Sequence, residues 1–232
     1  MRRPASSSKV NRDFDAGLDA ASLAEQAEHA APRRKRSEHY SPPVPAPPEP
    51  TASFLEQHLS GGIWHADRFF SSVTFKVRHL GLRDYRAGFA EIDATLDVVA
   101  GTLEAIVPVK SLDLNNPVIR ERMLSDEFLD AARFPEVRWI VSQFSGDLAT
   151  REIVVSGELT IHGNTHPVEA TGRIGLPGAG LLSPENRVGI ELSAVVDRRD
   201  FGLDWQEQLP TGGDTLGYDV TLEAILEFVE EE

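Results

Sequence analysis

The 232-residue sequence predicts an all-β domain of eight antiparallel strands, closed as a barrel or folded as a sandwich, behind a long irregular N-terminal segment. Three observations carry that expectation. From Gly62 onward apolar and polar residues alternate with period two, which marks half-buried strands. The connections between most of these runs hold turn residues and are too short for crossover helices, so neighbouring strands are antiparallel. The first ~60 residues have the opposite character, with 8 of the 15 prolines and few large apolar side chains.

The strand segments follow in order. The first covers about 72–79, with Val73, Phe75 and Val77 on one face and Thr74, Lys76 and Arg78 on the other. The second, about 87–99, sets Ala90, Ile92, Ala94, Leu96 and Val98 against Glu91, Asp93, Thr95 and Asp97. The third and fourth, about 102–109 and 137–144, carry Leu103, Ala105 and Val107, then Val137, Trp139 and Val141. The fifth, about 152–161, sets Ile153, Val155, Leu159 and Ile161 against Glu152, Ser156, Glu158 and Thr160. The sixth, seventh and eighth, about 167–176, 187–196 and 216–229, continue the pattern. Turns are expected at Gly146-Asp147, Gly163-Asn164, Pro177-Gly178 and Pro184–Asn186. Asn116 followed by Pro117 reads as a cap and first helical residue, so a short helix is expected over Val118–Leu124. A second helical piece is expected from Ser125 to Phe134, stopped by Pro135.

Residues 1–60 are expected to form a disordered, proline-rich extension, and residues 61–232 the folded domain. Within the extension, PPVPAPPEP at 42–50 favours a polyproline spacer and contains a minimal P-x-x-P pattern. The Ala-rich stretch 15–31 reads as transiently helical, and Arg33–Arg36 as a solvated basic run. No 7–15-residue apolar stretch follows Arg2-Arg3, so a cytoplasmic location is the expectation.

Charge and composition narrow the function. Residues 1–60 hold eight basic and eight acidic residues, and residues 61–232 hold 15 and 29, so the whole net charge of −14 lies on the domain. Such a surface repels nucleic acid and anionic lipid headgroups. No run of ~20 apolar residues is present for a membrane-spanning helix. The absence of cysteine excludes disulfides and thiolate chemistry. No G-x-S-x-G elbow, phosphate-binding glycine loop or H-E-x-x-H is found, so no catalytic residues are assigned. His162 and His166 lie i, i+4 across a turn, not on a helix, and no metal site is assigned to them.

Four segments carry a family likeness: DRFFSSVTFKVRHLG at 67–81, LSDEFLDAARFPEVRW at 124–139, VSGELTIHGNTHPV at 155–168 and VDRRDFGL at 196–203. In this order and spacing they resemble the YceI-like family, the bacterial lipid- and polyisoprenoid-binding proteins. The resemblance covers about residues 62–229. It implies a lipocalin-like eight-stranded antiparallel β-barrel with a short helical insertion, an isoprenoid chain held inside, and homodimers in many members. One departure is that Phe70 stands where the family usually has histidine.

The sequence function is therefore that of a non-enzymatic carrier for a long apolar ligand, an isoprenoid lipid or quinone, with no cofactor and no stable membrane insertion. Alternation places Phe75, Val77, Leu96, Trp139, Val155 and Leu159 on the inner face, and the insertion adds Met123, Phe128 and Leu129 at a barrel mouth. His79 continues the inward register and is a candidate hydrogen-bonding partner for a ligand's polar end. Arg198-Arg199 is a candidate cation at the mouth for a head group. The alternative is a ligand-free barrel acting as an interaction module through its surface or its proline-rich tail.

Overall fold

The computed structural model describes residues 53–179, 184–210 and 212–231. The expectations for the Ala-rich stretch, the basic run and the polyproline spacer lie outside the described residues. The strands are β1 (Ile63–Ala66), β2 (Ser72–His79), β3 (Arg83–Phe89), β4 (Asp93–Asp97), β5 (Thr102–Pro108) and β6 (Leu112–Asp113). They continue with β7 (Glu136–Asp147), β8 (Glu152–Ile161), β9 (Asn164–Ile174), β10 (Gly178–Ala179), β11 (Asn186–Asp197) and β12 (Leu216–Glu230). A single α-helix, α1 (Pro117–Leu124), is found among the described residues.

All pairings are antiparallel, and they close. β12 is the seam: it pairs with β11 from Asp219 to Val229 on one side and with β1 and β2 on the other. Three of the eight ribbons are broken by a bend. β1 and β2 form one, β3 and β4 the next, and β5 and β6 the third. The expected eight-stranded barrel is therefore present, with β1 as an addition that alternation over only four residues did not reveal. Closure leaves no long unpaired edge.

The bends have local causes. Between β1 and β2, Asp67 Oδ1 accepts the Phe69 amide at 2.9 Å, an Asx turn that interrupts the strand. The Asp67 amide donates to Glu227 O at 2.7 Å and Ser71 Oγ accepts the Glu227 amide at 3.1 Å, so the bulge stays tied to β12. In β8, Gly157 faces a register shift in β7 between Val141 and Gln143. A Cβ there would stand 2.1 Å from Ile140 O, so only glycine lets the backbones approach this closely.

Several expected turns move by a residue or two. The β7–β8 turn is Leu148–Arg151, because Gly146 and Asp147 still pair with Ile153 and Glu152. The β8–β9 turn is His162-Gly163, both with positive φ (50° and 75°), the two-residue geometry that follows the twist of a hairpin. α1 starts as expected, with Asn116 Oδ1 accepting the Val118 and Ile119 amides at 3.0 and 3.3 Å. The second expected helix, 125–134, is instead a series of turns. Asp130 takes φ +43°, and its amide returns to Ser125 O while the Ala131 amide returns to Leu124 O. This folds the segment back so that Leu129 and Ala131 bury against Ala87, Val109 and Leu112.

The polypeptide before β1 is part of the packing. Ser53 and Glu56 form a reciprocal capping box, with the Ser53 amide 2.7 Å from Glu56 Oε2 and the Glu56 amide 3.2 Å from Ser53 Oγ. The resulting helical turn buries Leu55 and Leu59 in the main core beside Trp64, Leu96 and Phe228. Residues 53–60, which the sequence reading placed in the extension, thus contribute to the barrel.

Candidate functional site

The inward alternation of every ribbon builds two different interiors. Around Leu55, Leu59, Trp64, Leu96, Leu103, Ile153 and Phe228 the side chains interlock, and all of these are at most 5% exposed. Elsewhere the inward residues stop short of one another and leave a cavity of about 200 Å³. That is larger than the roughly 150 Å³ apolar cavities that stay dry and bind small hydrocarbons. Its wall draws on nearly the whole circumference: Val73, Phe75 and Val77 of β2, Phe89 of β3, Ala105 and Val107 of β5, Val137 and Trp139 of β7, Leu159 of β8, Val168 of β9, Leu192 and Val196 of β11, and Val220 and Leu222 of β12.

Seven of the ten residues singled out from the sequence lie on this wall: Phe75, Val77, Met123, Phe128, Leu129, Trp139 and Leu159. Leu96 and Val155 face inward but are fully buried in the packed region. Register places Leu96 between Trp64 and Leu103, and Val155 between Phe144 and Ala170, all within the packed cluster. His79 does not reach the wall. It pairs with Arg83 and Leu216 at the end of β2, with its ring centroid 6.4 Å from that of Tyr85.

The insertion after β6 supplies one side of the cavity. Met123 ends α1, and Phe128 and Leu129 follow in the folded-back turns. The Phe128 ring lies 4.9 Å from that of Trp205, and the Arg122 guanidinium lies 4.9 Å from the Trp205 ring. Trp205 belongs to the irregular stretch after β11, so this contact joins the two long connections of the barrel. Sequence alternation offered no sign of it, since neither residue is in a strand.

The VDRRDFGL segment holds the polar part of the wall. Arg198 continues the inward register of Val188, Ile190, Leu192, Ala194 and Val196 and is 7% exposed. Its Nε donates to Gly217 O at 2.9 Å, its Nη1 donates to Leu203 O, and its guanidinium lies 4.9 Å from the Tyr218 ring. Burial pushes its pKa below the ordinary arginine value. Arg199 instead turns outward to Asp197, with Nε 2.9 Å from Oδ1, and that pairing holds the Asp197 carboxyl down at about 2. Phe201 is buried against Leu159, Ile161 and Val196, with the His166 ring 5.3 Å away. His162 packs its ring against Phe134 at 4.5 Å.

Phe70, at the position where the resemblance leads one to expect histidine, is on the outside of the barrel and 52% exposed. Its ring lies 5.8 Å from the Arg187 guanidinium. Arg187 is bound in turn by Asp67, Glu185 and Glu227 at 2.9, 3.1 and 2.8 Å. The Phe70 position therefore belongs to a surface latch at the β1–β2 bend and does not face the cavity.

Comparison with known proteins agrees with this architecture. The structure superposes on Burkholderia cenocepacia BcnA with a TM-score of 0.60 and 18% identity, over 70% of this chain and 98% of that one. It also superposes on a polyisoprenoid binding domain from Saccharophagus degradans with a TM-score of 0.57 and 16% identity, over 72% and 98% of the two chains. These identities show the fold. A UPF0312 protein of Staphylococcus epidermidis is 26% identical over 170 residues, which cover 70% of this chain and 94% of the relative. A Staphylococcus aureus relative is 28% identical over the same shares. The family described as the YceI-like domain matches residues 64–228, from β1 into the last strand of the barrel, β12. The barrel with its apolar cavity and helical insertion is thus a YceI-like domain, and this chain belongs to the YceI-like family.

Proposed function

We propose that the protein is a carrier or store for one long apolar ligand, an isoprenoid lipid or isoprenoid quinone, held inside the barrel. The observation that carries this reading is the cavity itself, walled by apolar side chains from nearly every ribbon. Such a site selects by shape and area. Each buried methylene contributes about 0.8 kcal/mol, so a few isoprene units supply an affinity that needs few polar contacts. The family membership and the neighbour described as a polyisoprenoid binding domain support the same ligand class. Phe75, Val77, Met123, Phe128, Leu129, Trp139 and Leu159 are the contacts this reading assigns.

The test is organic extraction of gently purified, untagged full-length protein followed by mass spectrometry, with native mass spectrometry alongside. The expected result is a stoichiometric lipid whose mass gives the chain length, and a native mass equal to two loaded chains. A folded protein that carries no lipid and takes up neither added squalene nor added isoprenoid quinone overturns the reading.

A further inference from the structure

The β2–β3 hairpin ends in a turn that packing inside the barrel does not require. The turn, His79–Leu82, is closed by the Leu82 amide donating to His79 O at 3.1 Å, and its central residues have positive φ, 54° at Leu80 and 66° at Gly81. Glycine takes that conformation freely and asparagine tolerates it, but a leucine there is strained. Burial does not offset the strain, since Leu80 is 41% exposed and its neighbour Leu82 81%. A strained residue with its apolar side chain in water points to a function at that spot. The same hairpin reverses the sign of the domain's charge. From Ser72 to Phe89 it holds Lys76, Arg78, Arg83 and Arg86 against Asp84 alone, in a domain of net charge −14. Glu223 of β12 meets Lys76 and Arg86, and Asp84 meets Arg78 at 3.4 Å, while Arg83 is exposed and has no ion pair among the described residues. The tip stands at the hollow end of the barrel. His79 pairs with Leu216, which lines the cavity, and the Leu80 amide donates to Thr215 O at 2.8 Å. The filled end also exposes apolar side chains, Val99 and Leu176, but Asp97, Glu230 and Glu231 stand at that end.

We infer that this hairpin docks the barrel on an anionic lipid surface, with Leu80 and Leu82 set among the headgroups and Arg78 and Arg83 beside their phosphates. Apolar side chains leave water at such a surface, and each basic residue near it adds electrostatic attraction. The overall charge of −14 repels the same surface, so the approach is favourable only tip-first. The attraction fades within a Debye length of about 8 Å at physiological salt, which confines it to residues at the tip. Two leucines and a few cations give weak and reversible binding. Resting on the carrier reading above, tip-first docking brings the hollow end of the barrel to the bilayer, where an apolar ligand passes between membrane and cavity with little exposure to water.

The experiment is flotation of full-length protein with vesicles of phosphatidylcholine and phosphatidylglycerol in equal parts, and with vesicles of phosphatidylcholine alone. The mixed vesicles are expected to carry the protein, the neutral ones much less, and added salt to release it. The double variant Leu80→Asn, Leu82→Asn relieves the strained turn and removes both apolar side chains. Its Tm is expected to hold or rise while binding to mixed vesicles falls about tenfold or more, as the loss of two inserted leucines implies. Arg83→Glu is expected to lower binding to mixed vesicles about fivefold or more. Parent protein that does not float with mixed vesicles overturns the docking inference. So does a double variant that floats as well as the parent, which would assign the binding to another part of the chain. Uptake of squalene from cyclodextrin, without vesicles, tests the carrier reading separately. Protein that takes up squalene but ignores vesicles overturns docking alone, and protein that docks tip-first but takes up no squalene supports docking and counts against the carrier reading.

Discussion

The two interiors of this barrel are made from the same materials. Both are lined by Val, Leu, Ile, Phe and a tryptophan in strict alternation, and both belong to the same eight ribbons. Around Trp64 the residues are sealed, because the Ser53–Leu59 turn inserts Leu55 and Leu59 where facing strands leave room. Around Trp139 no residue of that turn enters, and Phe75, Phe89, Val137, Val168 and Leu222 remain only half-buried although they face inward. The two arginines near these regions differ in the same way. Arg187, over the packed interior, has three carboxylate partners, whereas Arg198, on the cavity wall, has two carbonyls and a free donor. The lesson is that a hollow interior is marked by what is missing across it rather than by the residues that face it.

That contrast can be broken most directly by paired truncations. Leu96→Ala removes a side chain surrounded on all sides, and the expected cost is about 3–5 kcal/mol. Leu222→Ala enlarges a space that already exists and forfeits contacts on one side only, so about 1–2 kcal/mol is expected. Urea unfolding of both variants decides it, and equal losses would mean that the cavity region is packed in solution.

A finer comparison uses two alanines that sit opposite one another. Ala94 of β4 pairs with Ala105 of β5, yet only Ala105 lines the cavity. Ala94→Leu overfills packed space and is expected to cost about 1–3 kcal/mol. Ala105→Leu grows into the cavity and is expected to stay within about 1 kcal/mol of the parent while reducing lipid uptake. Thermal melts and extraction of bound lipid measure the two effects.

The smallest effect concerns the two arginines. Hydrogen bonds from Arg187 hold the Asp67 carboxyl below the ordinary carboxylate range. A carboxyl whose pKa is lower in the folded state stabilises the fold above its unfolded pKa of about 4 and loses that contribution as pH falls through the folded value. Arg187→Met should therefore lower Tm by a few degrees at pH 7 and flatten the decline of Tm below pH 4. Arg198 forms no ion pair among the described residues and adds only the smallest share to the lowering of the Asp197 carboxyl, so Arg198→Met should change the acid decline less than Arg187→Met does.

How much of this was legible beforehand differs residue by residue. Leu159 and Trp139 were placed inward by alternation and do line the cavity, but the same rule placed Leu96 and Val155 inward and they are packed. Period two reports which face a side chain takes and carries no information on height along the barrel. Arg198 had a visible signal, since it is the next inward position after Val196. The helix expected at 125–134 failed because a good local helical composition was overridden by the burial of Leu129 and Ala131, which required Asp130 to turn back. The Leu55 and Leu59 contribution was hidden by the proline-rich composition just before it, although the S-x-x-E signal at Ser53–Glu56 was present.

The sequence by itself determined the strand pattern, the antiparallel connections, the start of α1 and the family, because each is written in local alternation, turn chemistry or short motifs. The tertiary structure alone decided where the barrel is filled and where it is hollow. It also decided which of two adjacent arginines is buried, and which buried donors lack a partner. Those properties depend on what arrives from across the barrel, through side chains far apart in sequence.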